Sequence, residues 1–172
     1  MKTDENLKVA FAGESQARNK YTYFAKVARN EKLFYVAKIF EETAENEVQH
    51  AKDEFKLMKG IGDTKQNLKE AIAGEHFENT EMYVQFEKDA LVEGRAAEAK
   101  LFHEIAEVER KHESRYLKIL AFLEKGMLYK REKPIKWKCS KCGYIHEGTE
   151  PPAVCPSCKH EREYYEPEDV MF

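Results

Sequence analysis

The chain has 172 residues, of which 42% are apolar and 35% are charged. Its 29 Lys and Arg residues nearly balance its 32 Asp and Glu residues, so the net charge of -3 creates no field that attracts nucleic acid or an anionic membrane. This length suffices for one medium-sized core and one small additional domain.

The N-terminal sequence MKTDENLKVAFAGESQ carries charges where an export signal needs an apolar run. No stretch approaches the roughly 18 apolar residues of a membrane span, so we expect a soluble, cytoplasmic protein. All four cysteines lie in two Cys-x-x-Cys pairs between Cys139 and Cys158. In a chain without an export signal, such pairs are more typical of thiolate metal ligands than of disulfides.

Residues 3–125 contain no proline and are rich in Ala, Glu, Lys, Leu and Phe, a composition that predicts long helices. Glycines and turn residues divide this region into four predicted helices, over residues 4–30, 33–59, 65–93 and 95–125. Short connections make the helices of each half antiparallel. The sequence therefore predicts an all-α four-helix bundle, followed by a small four-cysteine domain.

The two halves of the helical region resemble each other. A shift of 62 positions superposes Tyr21 on Tyr83, whereas Ala-Gly-Glu ending at Glu14 meets the same tripeptide ending at Glu75 at a shift of 61. One residue must therefore be inserted in the third helix between the glutamate and the tyrosine. The bundle consists of two related hairpins, which either pair within one chain or are exchanged between two chains; both remain open.

Each half also contains one Glu-x-x-His sequence, which places a carboxylate and an imidazole on the same helix face. One such pair is weak evidence, but both pairs occupy equivalent positions, and both partner helices carry a matching glutamate. Hard oxygen donors with imidazole suit iron or manganese, and this pattern is typical of a carboxylate di-metal centre inside a bundle. The six candidate ligands are Glu14, Glu47, His50, Glu75, Glu109 and His112.

Three further residues extend this candidate site. Glu78 follows Glu75 by one turn and adds a fifth carboxylate. Tyr21 and Tyr83 lie about two turns beyond the glutamates of their helices, where a phenol can hydrogen-bond a ligand carboxylate. Ordinary packing inside the bundle is the alternative role of the two tyrosines.

The composition changes after Gly126, and all five prolines lie beyond it. Two Cys-x-x-Cys pairs, Cys139 with Cys142 and Cys155 with Cys158, predict one tetrahedral site with four thiolates. Zinc there would be structural and iron would be a one-electron carrier, and the spacing suits either metal. We predict a helical domain over residues 1–133 and a four-cysteine domain over residues 134–172.

Several segments together resemble the rubrerythrin family. They are AGESQAR, ETAENEVQH, GEHFENTEMY and IAEVERKH in the helical region, and KWKCSKCGY with CPSC in the tail, where Lys159 replaces the usual glycine of rubredoxins. The resemblance implies a ferritin-like bundle and a rubredoxin-like domain with one iron on Cys139, Cys142, Cys155 and Cys158. It also implies two irons on Glu14, Glu47, His50, Glu75, Glu78, Glu109 and His112.

The resemblance further implies an NADH-linked peroxidase that reduces hydrogen peroxide to water. Glu78 and His50 would be alternative ligands of one iron, and an external rubredoxin and its reductase would supply electrons. A homodimer is expected, in which the four-cysteine domain serves the neighbouring subunit. The alternatives are a ferroxidase or oxygen-reducing di-iron protein, and an iron-binding scaffold with a zinc ribbon.

Overall fold

The computed structural model describes residues 1–168 and divides the chain into two compact units. The first unit comprises residues 1–63, and the second begins at Thr64. Among the described residues, none of the helices is long and apolar enough to cross a membrane.

The first unit is a pair of long helices, here called the first hairpin. Helix α1 spans Lys2–Asn30, and α2 spans Phe34–Leu57. Lys32 in the turn between them adopts a left-handed conformation, with φ of 62°. The helices approach closely because alanines fill their contact: Ala25, Ala28, Ala37, Ala44 and Ala51 are buried.

The second unit starts with a related pair of helices, here called the second hairpin. It contains α3 (Thr64–Phe77), a π-helix (Glu78–Met82), α4 (Tyr83–Val92) and α5 (Ala96–Glu124). A π-helix accommodates one extra residue in a helical turn. It therefore lies where the repeat predicted an insertion, between the glutamate and the tyrosine of the third predicted helix.

A buried polar network holds the π-helix against α5. Asn79 is 2% exposed, and its side-chain N–H groups donate to the carbonyl oxygen of Glu75 at 2.6 Å and to the carboxylate of Glu113 at 2.8 Å. The other oxygen of Glu113 lies 2.9 Å from Nδ1 of His76. The first hairpin has Ala51 at the position equivalent to Glu113, so the network is specific to the second hairpin.

We expect Asn79→Ala to destabilise the second hairpin by about 1–3 kcal/mol, because it leaves two half-buried acceptors without their buried donor. The midpoint of urea unfolding, followed by circular dichroism, should fall accordingly. Thr80→Ala is the matched control, since the neighbouring Thr80 is exposed. Equal midpoints for the Asn79 variant and the wild type would show that the network does not stabilise the fold.

The small domain that follows α5 is a three-stranded antiparallel sheet. Its strands β1 (Ile135–Cys139), β2 (Ile145–Gly148) and β3 (Tyr165–Pro167) lie in the order β2-β1-β3. Trp137 is completely buried, and its indole N–H donates to the carbonyl oxygen of Gly148 at 3.0 Å. This tryptophan forms the core of the domain with Cys139, Cys155 and Tyr165.

One arginine connects α5 with the small sheet. The guanidinium of Arg131 lies 4.3 Å from the ring centre of Phe122 on α5 and 5.2 Å from that of Trp137 on β1. Both contacts are cation–π interactions. The small domain is therefore packed on the end of the second hairpin.

The predicted fold class is confirmed: four helical stretches precede a small domain with four cysteines. The helix ends differ from the predicted ones by at most two residues. The π-helix is the main departure, because it interrupts the third predicted helix. The predicted boundary between residues 133 and 134 stays a prediction.

Candidate metal centres

The first hairpin places three predicted ligands together, here called the first half-site. Glu14 comes from α1, and Glu47 and His50 come from α2. One ligand atom of each residue lies within 4.8 Å of those of the other two. Nδ1 of His50 is 2.7 Å from Oε2 of Glu47, so both donor atoms face the same point.

The electrostatics of the first half-site favour a cation. Burial, followed by repulsion from Glu47, raises the pKa of Glu14 above its ordinary value. A bound divalent ion would reverse this effect, because it stabilises both carboxylates in their charged forms. The donor set therefore fits a metal ion.

The second hairpin builds the equivalent second half-site from Glu75 on α3 and from Glu109 and His112 on α5. These ligand atoms also lie within 4.8 Å of one another. Nδ1 of His112 is 2.6 Å from Oε2 of Glu109 and 3.4 Å from Oε2 of Glu75. The repeat seen in the sequence is thus a repeat of ligand geometry.

Glu75 shows the same electrostatic response as Glu14. Burial, followed by interaction with Glu109, raises the pKa of Glu75. Its Oε2 atom is buried and has no hydrogen-bond partner among the described residues. A buried carboxylate oxygen without a donor is costly, and coordination of a metal ion would satisfy it.

Glu78 is placed by the π-helix, of which it is the first residue. It is half-buried and is not one of the three mutually close donors of the second half-site. Its charge nevertheless raises the pKa of Glu75, although less than burial and Glu109 do. Glu78 therefore lies within electrostatic reach of the half-site without joining its closest cluster.

The two predicted tyrosines lie in equivalent aromatic layers. The ring of Tyr21 is 6.1 Å from that of Phe40, and the ring of Tyr83 is 6.1 Å from that of Phe102. Burial and then the charge of Glu78 raise the pKa of Tyr83. Both tyrosines are half-buried beside these rings, and Tyr83 is also close enough to the carboxylates to sense their charge.

Sequence reasoning missed one acidic residue of the first hairpin, Glu54. Its Oε2 atom is buried without a hydrogen-bond partner among the described residues, and its charge raises the pKa of Glu14. Its spacing in the sequence could have identified it, because Glu47, His50 and Glu54 are three and then four residues apart and so lie along one helix face. The repeat concealed it, because the second hairpin has Tyr116 at the equivalent position.

The four cysteines of the small domain form a third cluster, in which all four sulfur atoms lie within 4.8 Å of one another. The Sγ atoms of Cys139 and Cys158 are 3.7 Å apart, as are those of Cys142 and Cys155. Thiolates about 2.3 Å from a central ion occupy tetrahedral corners roughly 3.75 Å apart. The cysteines are free thiols arranged for a metal rather than for disulfides.

The pKa values of two of these thiols are shifted in opposite directions. Burial opposes ionisation of Cys155, but backbone N–H groups of Cys158 and Ser157 and the hydroxyl of Tyr165 lower its pKa to about 6. The N–H of His160 favours a thiolate at Cys158, yet burial and the neighbouring thiols raise its pKa to about 12. A bound cation would favour the thiolate form of all four cysteines.

The two turns after the Cys-x-x-Cys pairs have the same left-handed conformation. Gly143 follows the first pair with φ of 76°, and Lys159 follows the second with φ of 65°. The lysine in place of the usual glycine leaves the turn intact, although a side chain is disfavoured at such φ values. The thiolate cluster is formed despite this substitution.

Comparison with known proteins agrees with this geometry. The sequence profile of the rubrerythrin family matches residues 5–120, which contain both half-sites. The profile of the rubrerythrin rubredoxin-like domain matches residues 137–166, which contain the four cysteines.

Individual relatives match almost the whole chain. A solved structure of partially reduced nigerythrin is 31% identical, covers 96% of this chain and 86% of its own, and gives a TM-score of 0.38. Rubrerythrin of Porphyromonas gingivalis is 43% identical over 96% of this chain and 90% of its own length. Rubrerythrin of Nitratidesulfovibrio vulgaris is 42% identical over 96% of this chain and 93% of its own length. On the family profile and these two relatives, the chain belongs to the rubrerythrin family and carries its rubredoxin-like domain.

Proposed function

We propose that this protein is a non-haem di-iron peroxidase that reduces hydrogen peroxide to water and protects against oxidative stress. The observation that supports this most directly is the presence, in one chain, of two equivalent carboxylate and histidine half-sites and a four-thiolate site. The half-sites suit a pair of irons, and the thiolates suit a one-electron iron. A peroxidase needs the paired irons to react with peroxide. It also needs the one-electron iron, because the paired irons must be reduced again in every cycle.

The proposed ligands of the two irons are Glu14, Glu47, His50, Glu75, Glu78, Glu109 and His112. Cys139, Cys142, Cys155 and Cys158 are the proposed ligands of the third iron. When bound, the paired irons would supply the two electrons that, with two protons from solvent, convert one hydrogen peroxide molecule to two water molecules.

The protein's own residues orient these donors. The contact between Nδ1 of His50 and Oε2 of Glu47 brings an imidazole and a carboxylate to one place, where both could bind the same metal ion. The same holds for His112 with Glu109. We propose Glu78 and His50 as alternative ligands of one iron and therefore as catalytic residues. Tyr21 and Tyr83 would orient ligand carboxylates from the aromatic layers.

The electron supply is the second part of the proposal. Electrons from NADH would arrive through an external rubredoxin and its reductase and pass through the four-cysteine iron. A homodimer would bring the four-cysteine domain of one subunit to the di-iron centre of the next. Four free thiols suit a reducing compartment, for which we propose the cytoplasm.

Stopped-flow spectroscopy of the fully reduced protein under anaerobic conditions tests this function. We expect hydrogen peroxide to oxidise the di-iron centre faster than dissolved oxygen does. Oxygen reacting as fast as peroxide would instead indicate a ferroxidase or oxygen-reducing protein. A colourless protein with zinc at the cysteines, purified from iron-replete cells, would indicate a scaffold with a zinc ribbon.

We expect Glu78→Ala to reduce peroxide turnover roughly tenfold or more while the helical content stays unchanged, because it removes one of two alternative ligands. Steady-state peroxide consumption with a chemical reductant measures this effect. Glu81→Ala is the matched control, because Glu81 is exposed on the same π-helix. Full activity of the Glu78 variant would remove its assigned role.

A further inference from the structure

The core of the small domain contains a buried hydroxyl group that makes no ordinary hydrogen bond. Tyr165 on β3 is 4% exposed and packs in one buried cluster with Trp137, Cys139 and Cys155. Its hydroxyl oxygen is buried and has no hydrogen-bond partner of ordinary geometry within residues 1–168. Burying a hydroxyl without a partner costs free energy. A phenylalanine ring would fill the same position without that cost, so the hydroxyl calls for an explanation.

The pairing of the strands directs this tyrosine towards the thiolate site. β3 pairs with β1 in antiparallel orientation, and Tyr165 lies directly opposite Cys139. Side chains of directly opposite residues lie on the same face of a sheet. Cys139 and Cys155 are both completely buried. The phenol ring therefore shares the interior of the domain with two of the four candidate ligands.

Cys155 is the acceptor within reach of this hydroxyl. The hydroxyl is one of the groups that hold the pKa of the Cys155 thiol at about 6, together with the backbone N–H groups of Cys158 and Ser157. Burial, followed by the interaction with Cys155, raises the pKa of Tyr165 above its ordinary value. The phenol therefore keeps its proton and can act as a donor. A thiolate accepts a stronger hydrogen bond than a neutral thiol does, because it is charged.

We propose that the hydroxyl of Tyr165 donates a hydrogen bond to Sγ of Cys155 in the iron-loaded protein and thereby raises the reduction potential of the four-cysteine iron. This inference rests on the proposed function, since it assigns a role to one residue at the proposed electron-transfer site. Tyr165 would act through a ligand and not on the metal itself. It is therefore a positioning residue, not a catalytic one.

The sign of the effect follows from the charge of the site. Reduction adds one electron to an iron held by four thiolates, without forming or breaking a bond, so the site becomes more negative. A donor directed at a sulfur stabilises the more negative, reduced state more than the oxidised state, and such hydrogen bonds help to set the potential of iron–thiolate sites. Burial strengthens the interaction, because the local dielectric constant is low. The hydroxyl would thus help the site to accept electrons from an external donor.

Tyr165→Phe tests this role, because it removes only the hydroxyl. Full-length, iron-loaded protein is titrated with reductant under anaerobic conditions in the presence of redox dyes, and the visible absorbance of the ferric four-cysteine site is followed. We expect the equilibrium constant for reduction to fall about tenfold, which lowers the potential by about 59 mV for one electron. A potential equal to or above that of the wild type would overturn the proposal.

Tyr164→Phe is the matched control, since it removes a hydroxyl from the preceding residue. Tyr164 is 38% exposed. Its ring centre is 5.0 Å from that of His160 and 4.9 Å from Nζ of Lys141, contacts that a phenylalanine ring retains. This variant should have the wild-type potential. An equal fall in both variants would show that the effect is not specific to the buried hydroxyl, and the assignment to Cys155 would be wrong.

A second variant separates hydrogen bonding from packing by a change in the opposite direction. Site-specific replacement of Tyr165 by 3-fluorotyrosine keeps the hydroxyl and makes it more acidic, so that it becomes a stronger donor. We expect the potential to rise above that of the wild type. A residue that only fills space would not produce a fall in one variant and a rise in the other. A potential at or below the wild-type value would contradict the proposal, even if the phenylalanine variant fails to bind iron.

The wild-type protein distinguishes failure of this inference from failure of the proposed function. Zinc at the cysteines of protein purified from iron-replete cells would refute the proposed electron carrier and the role of Tyr165 together. A wild type with the ferric spectrum, combined with unchanged potentials in both Tyr165 variants, would refute only the role of Tyr165.

Discussion

Glu109→Ala is expected to weaken iron binding at the helical centre by at least about 100-fold and to abolish peroxide turnover. Glu109 contacts both other members of the second half-site: its carboxylate is 2.6 Å from Nδ1 of His112 and interacts with Glu75. Loss of residues that only orient metal ligands already costs 10–100-fold in affinity or activity, and loss of a ligand should cost more. Iron titration of the metal-free protein measures the change.

Glu104→Ala on the same helix is the control for this prediction. The side chain of Glu104 is 61% exposed and pairs only loosely with Lys100, at 3.6 Å. Exposed ion pairs of this kind contribute little to stability, so the variant should bind iron as the wild type does. If the Glu109 variant retains wild-type iron binding, the second half-site is not a metal centre.

Cys139→Ser is expected to impair electron delivery to the helical centre without changing the reaction of that centre with peroxide. Cys139 is completely buried, and its sulfur is 3.7 Å from that of Cys158, so its loss removes one of four thiolates and the metal with it. Turnover supported by an external rubredoxin should fall by about 100-fold or more, because each cycle needs new electrons. A single reaction of the chemically reduced helical centre with peroxide should keep its rate.

Lys138→Ala tests the same strand without changing a ligand. Lys138 lies between Trp137 and Cys139 on β1, but its side chain is exposed, because successive side chains of a strand point to opposite faces. This variant should show normal turnover in both assays. Unchanged rubredoxin-supported turnover in the Cys139 variant would show that electrons reach the helical centre by another route.

The helices could be predicted from sequence because their signals are local. The proline-free stretch and the glycines after three of the four helical segments located all four helices to within two residues. The cysteine cluster was predictable for a similar reason, since two Cys-x-x-Cys pairs bring four thiols together within a short segment.

The candidate ligands became recognisable through the repeat. A single Glu-x-x-His pair has no special meaning, but two pairs in equivalent positions indicate one geometry used twice. The structure brings six of the seven predicted helical ligands into two clusters. Their role as iron ligands remains our proposal, as does that of Glu78.

Glu54 shows where this reasoning failed. It breaks the repeat, because Tyr116 occupies its equivalent position, and its buried oxygen becomes visible only when α1 and α2 are packed together. Asn79 is similar, since its partner Glu113 lies 34 residues away on α5. Contacts between residues so distant in sequence have no local signal.

The sequence by itself determined the helices, the order of the domains, the four-thiolate site and the carboxylate and histidine pairs, because each depends on spacing within one segment. Tertiary structure alone decided how the inserted residue is accommodated, through a π-helix held by Asn79 and Glu113. It also decided the form of the cap at the end of α2, where Gly60 packs against the ring of Phe55. Both outcomes depend on the packing of side chains between elements, which the order of residues along one helix does not specify.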